Sequence, residues 1–91
     1  MADKTHCAHI LVKAEQEAKA IIEQLSKGVS FSKLAMEKST CPSGKKGGDL
    51  GTFGRGQMVR EFERAAFALQ KGQVSQPIKT EFGWHVIKRL E

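Results

Sequence analysis

The stretch "THCAHILVK", residues 5–13, grows more apolar and β-branched toward its end and reads as a β-strand. Side chains alternate across a strand with period two. Thr5, Cys7, His9, Leu11 and Lys13 therefore share one face, and His6, Ala8, Ile10 and Val12 share the other. The chain closes on a similar pattern, "GWHVIKRL" (83–90), which sets Gly83, His85, Ile87 and Arg89 against Trp84, Val86, Lys88 and Leu90. Each strand carries a histidine among apolar neighbours. Paired centrally in a small sheet, the two terminal strands bring His9 and His85 together.

Helical spacing dominates between them. Ala14, Ala18, Ile21, Ile22 and Leu25 recur as one apolar stripe, opened by Glu15 and Glu17 and closed by Lys27 and Gly28. Ser30 is placed to cap a shorter helix burying Phe31, Leu34 and Ala35. A third helix is expected from about Val59 to Leu69, with Phe62, Ala65, Ala66 and Leu69 on one face. "DLGTF" (49–53) reads as a short strand, and "QVSQPIK" as an edge strand because Pro77 cannot donate to a ladder. The order β-α-α-β-α-β-β has too few βαβ units for a doubly wound sheet. It predicts an α+β domain with a small, mainly antiparallel sheet.

The 91 residues fit one domain with a single modest core and a shallow groove for a site. Fifteen Lys/Arg against ten Asp/Glu leave a net charge of +5, scattered along the chain, which favours anionic partners. Met1-Ala2-Asp3-Lys4 shows no secretory leader. No apolar run approaches the ~18–20 residues that span a bilayer. Two cysteines, Cys7 and Cys41, do not make a disulfide framework. A soluble, cytoplasmic monomer is expected, with peripheral membrane association compatible with its charge.

Six of the nine glycines crowd into "CPSGKKGGDLGTFGRGQM" (41–58). The segment is no phosphate loop, since Gly44-Lys45 is followed by Lys46 rather than Ser or Thr. The Gly54-Arg55-Gly56 run reaches Val59 where a dinucleotide fingerprint requires glycine or alanine. His6, Cys7, His9, Cys41 and His85 lack metal-ligand spacing, and no metal or cofactor is expected. A Cys41 nucleophile with His9 or His85 would find no neighbouring N–H for an oxyanion on Pro42.

What remains is a polar floor. Neutral imidazoles at His9 and His85 can pass a hydrogen bond from ring to ring, with Thr80 and Cys41 placed to join them and Thr80 fixing the tautomer. Met58 and Phe62, four apart on one helix face, with Leu50 and Phe82, supply an apolar rim. By spacing alone Met58 and Phe62 also suit a core.

"HILVK", "STCPSGKKGGDLGTFGRGQM", Phe62, "FAL" (67–69) and "TEFGWHVIK" follow one another as motifs do in the parvulin peptidyl-prolyl isomerases. From about Thr5 to Leu90 the chain resembles that family, most of all its minimal stand-alone members. The resemblance implies a parvulin-like fold of the FKBP-like superfold: a half-open four-stranded antiparallel sheet surrounded by four helices, order β-α-α-α-β-α-β-β, in one domain spanning 1–91. The fourth helix would be a short turn near Pro42-Ser43.

By the same resemblance the activity is cis/trans isomerisation of X-Pro bonds in polypeptides, non-covalent and without cofactor. His9 and His85 match the paired histidines, Cys41 the polar residue beside the substrate carbonyl, and Thr80 the residue bonding the pair. Leu50, Met58, Phe62 and Phe82 match the proline pocket. Phosphate-directed parvulins carry an arginine-rich insertion after the first strand. Here Lys13 leads straight into "AEQEAKAI", so broad X-Pro specificity is expected rather than a strict phospho-Ser/Thr preference. Two alternatives stand beside this reading: a catalytically weak peptide-binding or chaperone module, and a basic domain that binds anionic membrane or nucleic acid. For the second, Lys13, Lys45, Lys46 and Arg55 are the candidate contacts.

Overall fold

A computed structural model describes residues 4–91. The reading of Met1 to Asp3 as no leader lies outside the described residues. Strand β1 (Lys4–Val12) is followed by helices α1 (Glu15–Ser26) and α2 (Phe31–Lys38), a 3₁₀ turn (Pro42–Lys46), β2 (Asp49–Gly54), α3 (Arg60–Ala68), β3 (Ile78–Thr80) and β4 (Gly83–Arg89). The architecture is α+β with three α-helices, not four. The seven residues after Cys41 hold three glycines, Gly44, Gly47 and Gly48, and glycine disfavours a sustained helix. It closes as a single tight turn ending on Gly47 in the left-handed region.

The sheet is antiparallel throughout, in the order β2-β1-β4-β3. The first and last strands are thus central neighbours, with Leu11 opposite His85 and His9 opposite Ile87. β3 begins directly after Pro77 and lies at the edge.

Alternation on these strands separates two cores. Ala8, Ile10, Val12 and Val86 pack under Ala18 and Ile21 of α1 and Phe31, Leu34 and Ala35 of α2. Cys7 and Ile87, pointing the other way, pack with Phe53 of β2, Phe62 and Ala66 of α3, and Leu69 just past its end. Each fully buried aliphatic or aromatic side chain contributes roughly 1.5–3 kcal/mol. Ser30 caps α2 through the Lys33 N–H, while α1 starts from Ala14 with no side-chain cap.

Gly48 lies where the loop entering β2 meets β1. Its carbonyl accepts the His9 N–H at 2.9 Å. Its φ is +85°, and a Cβ there would overlap the His9 carbonyl oxygen, so only glycine fits. The glycine-rich segment is a packed loop clamped to the strand that carries His9.

Candidate active site

On the α3 side of the sheet, next to the smaller core, lies a cavity of about 510 Å³. His9 and His85 line it, 5% and 4% exposed, from the two central strands. Their Nδ1 atoms are 2.9 Å apart and the rings stack with centroids 5.1 Å apart. His85 Nε2 lies 2.7 Å from Thr80 Oγ1, which also accepts the Phe82 backbone N–H at 3.1 Å.

Beside that bond the Thr80 oxygen keeps a lone pair and its own proton, so the chain can run in either direction: Thr80 to His85 Nε2 and His85 Nδ1 to His9 Nδ1, or His9 Nδ1 to His85 Nδ1 and His85 Nε2 to Thr80 Oγ1. In both, His9 Nε2 is buried and has no hydrogen-bond partner among the described residues. A buried polar atom left unpaired costs about 1–3 kcal/mol.

Both rings are held neutral. Burial above all, and then the adjacent His85 ring, pushes His9 down to about 4, and burial lowers His85 as well. Phe62 stands nearly perpendicular to both, at 5.5 Å from His9 and 5.3 Å from His85.

The rim comes from three elements. Leu50 reaches in from β2. Met58 sits at the end of a loop fixed by the Gln57 carboxamide oxygen, which accepts the Gly54 N–H at 2.7 Å, and by Glu63, which accepts the Gly56 N–H. Phe82, 63% exposed, overhangs from the β3–β4 turn. Cys41 lines the same cavity but takes no part in the imidazole chain: its Sγ accepts from Ser43 Oγ at 3.3 Å. The Cys41 segment is stitched to the end of β1, with Thr40 N–H on the Leu11 carbonyl and Ser39 Oγ accepting the N–H groups of Leu11 and Cys41. Thr80 lies behind His85, outside the lining.

Leu11, Thr40, Pro42, Gln57 and Val59 also line the cavity and were not singled out from the sequence. Leu11 was within reach, being two residues from His9 on the same strand face. The basic candidates do not converge. Arg55 is spent within the fold, its guanidinium 4.3 Å from the Phe67 ring centroid and 3.8 Å from Glu63. Lys45 and Lys46 border separate hollows, and Lys13 is exposed beyond β1.

Residues 8–91 match the family model described as Rotamase: PPIC-type PPIASE domain. The chain belongs to the parvulin-type peptidyl-prolyl cis/trans isomerases. It is similar to the solution structure of NmPin, the parvulin of Nitrosopumilus maritimus, at 53% identity and a TM-score of 0.92, covering 100% of this chain and 99% of that one. Pin of Cenarchaeum symbiosum is 59% identical with a TM-score of 0.88, over 100% of this chain and 95% of that one. Among curated proteins, the foldase protein PrsA of Geobacillus kaustophilus is 55% identical over 86 residues, 93% of this parvulin chain but 31% of the relative's length. The chain thus spans about a third of that larger foldase. None of the described helices of this parvulin chain is long and apolar enough to cross a membrane.

Proposed function

We propose that the cavity over the imidazole pair seats the proline ring of an X-Pro segment and speeds rotation about its peptide bond without covalent chemistry. The observation that carries this is the pairing of an apolar hollow with a floor of neutral, mutually bonded histidines. Rotation about a peptide bond faces ~18–20 kcal/mol, because twisting breaks amide resonance. The twisted amide is less dipolar than the planar one, so a water-poor apolar site favours it. A 10⁴-fold acceleration needs only about 5–6 kcal/mol of such preference.

In this reading Leu50, Met58, Phe62 and Phe82 hold the ring while the acyl side turns. His9 and His85, backed by Thr80, keep the floor rigid and uncharged. Cys41 tunes polarity beside the substrate carbonyl and is not a nucleophile. Its bond to Ser43 and the absence of any described bond to an imidazole support that role. Among the described residues no Lys or Arg lines the cavity, which supports a preference for X-Pro generally rather than for phosphorylated X. We extend the reading to a monomeric, cytoplasmic protein acting as one domain, with only weak anionic contacts through Lys13, Lys45 and Lys46.

Exchange NMR on Ala-X-Pro-Phe peptides tests the reading. Turnover is expected, with at least a tenfold loss in Met58→Ala and in Phe62→Ala compared at equal folded fraction. Absent turnover, or turnover untouched by both substitutions, leaves the weak peptide-binding module as the better account.

A further inference from the structure

The opposite flank of α3 carries a second concavity that the isomerase reading does not use. It is a groove of about 720 Å³ between α3 and β3. Ala65, Pro77 and Ile78 form its partly buried floor, and the exposed Arg60, Arg64 and Lys79 stand along it with one carboxylate, Glu61. Three cations less one carboxylate leave an excess of two positive charges.

What sets these cations apart is that they share one hollow. Lys19, Lys27 and Arg55 each have a glutamate within 4.0 Å. Among the described residues no carboxylate lies that close to Arg60, Arg64 or Lys79. Arg60 and Arg64 are also poorly placed for helix stability. They lie four apart, where like charges repel, and Arg60 opens α3 at the positive end of its dipole. An external anion would relieve both penalties. Alongside runs β3, which pairs with β4 on one side and is the sheet's edge on the other. An edge strand offers backbone groups to an extended chain.

We propose that the groove docks an acidic, partly apolar polypeptide segment in extended form. An apolar floor beside an open strand edge suits a peptide, whose backbone and alternate side chains use both. It suits a nucleic acid less, because no aromatic residue lines it for base stacking. The groove shares α3 with the proline notch: Val59 and Phe62 line one, Arg60, Arg64 and Ala65 the other. A client held there keeps its nearby prolines at high local concentration beside the notch. Docking itself does not depend on isomerase activity; only this kinetic consequence rests on the function proposed above.

The test titrates the full chain with a proline-free peptide of alternating Glu and Leu, followed by amide shifts in NMR. Saturable shifts are expected at Arg60–Ala65 and Ile78–Thr80, weakening as salt is raised. Affinity should drop at least tenfold in Arg60→Glu/Arg64→Glu and less in Arg60→Gln/Arg64→Gln. Glutamate at position 60 suits the helix N-terminus and the repulsion across one turn is no greater than in the native pair, and the amide spectrum of each variant checks that its fold is kept. A second arm joins the acidic segment to Ala-Ala-Pro-Phe by a short linker. KM should fall several-fold at constant kcat in the native chain, and not in the reversal variant, whose turnover of the free tetrapeptide is unchanged. No saturable binding, shifts confined to the notch or to Lys45 and Lys46, or binding that survives both double variants overturns the proposal. So does tighter binding of duplex DNA or anionic vesicles at the same amides. Failure to turn over the tetrapeptide strikes the isomerase reading instead and leaves the docking arm intact.

Discussion

The two faces of the β1–β4 pair are built from alternate residues of the same strands, yet they differ in kind. Under α1 and α2, Ile10, Val12 and Val86 belong to an apolar cluster and are sealed. Under α3, His9 and His85 replace aliphatic side chains, two buried nitrogens (His9 Nε2 and Arg89 Nε) have no partner among the described residues, and a cavity remains open beside the histidines. The sealed face supplies the stability that allows the other face to be imperfect. Polar atoms and empty space in a chain this small mark the proposed site of the chemistry.

The sharpest way to break the contrast is to damage the sealed face. Leu34→Ala should cost about 2–5 kcal/mol of stability through lost burial and a residual cavity. Its kcat/KM, per folded molecule, should stay at the native value. Chemical denaturation with parallel exchange NMR checks both, and a fall in specific activity would show that the faces are not separable.

Acid attacks the other face. The ordinary histidine value is 6.5, and folding lowers His9 to about 4. Between these values the unfolded chain binds a proton that the folded chain refuses. Stability is therefore full above pH 6.5 and falls as pH drops toward 4, by about 1.4 kcal/mol per unit for this one group. Denaturant midpoints measured from pH 7.5 to 4.5 should follow that slope. In His9→Phe the slope should flatten.

Smaller still is Thr80→Val, which removes the hydroxyl that orients His85. It should cost about 1–3 kcal/mol by leaving His85 Nε2 unsatisfied, and the ring tautomers should become mixed in nitrogen NMR. Smallest is Cys41→Ala. The thiol is half-buried with one weak bond, so stability should change by less than about 1 kcal/mol. Turnover should persist within about tenfold, equivalent to roughly 1.4 kcal/mol, where a nucleophile's removal would abolish it.

Much of this contrast was legible in the sequence. Period-two alternation alone separates Cys7 and His9 from Ile10 and Val12, and Ile87 from Val86, because a strand in a two-sided core must sort its side chains that way. Ser30 as a cap and the Phe62–Ala66 face of α3 were equally readable from spacing. The turn at Pro42–Lys46 was not readable from spacing: the parvulin resemblance implies a short turn near Pro42-Ser43, and its 3₁₀ form depends on packing of Gly44 and Gly47 against α2. Nor was the fate of Arg55, which only the fold brings onto Phe67 and Glu63. The α3–β3 groove escaped notice for the same reason. Arg60 and Arg64 are distant in sequence from Lys79, and tertiary packing alone puts them on one hollow.

The most direct trial of the central claim is kcat/KM for an X-Pro peptide measured alongside the imidazole nitrogen shifts from pH 8 down to 4.5. Because burial lowers both rings below the ordinary histidine value of 6.5, the rate should stay level as pH falls from 8 to that value, and His9, held near 4, should stay unprotonated beyond it. A rate that rises or falls with protonation of either ring between pH 6 and 7 would contradict an uncharged, apolar mode of catalysis.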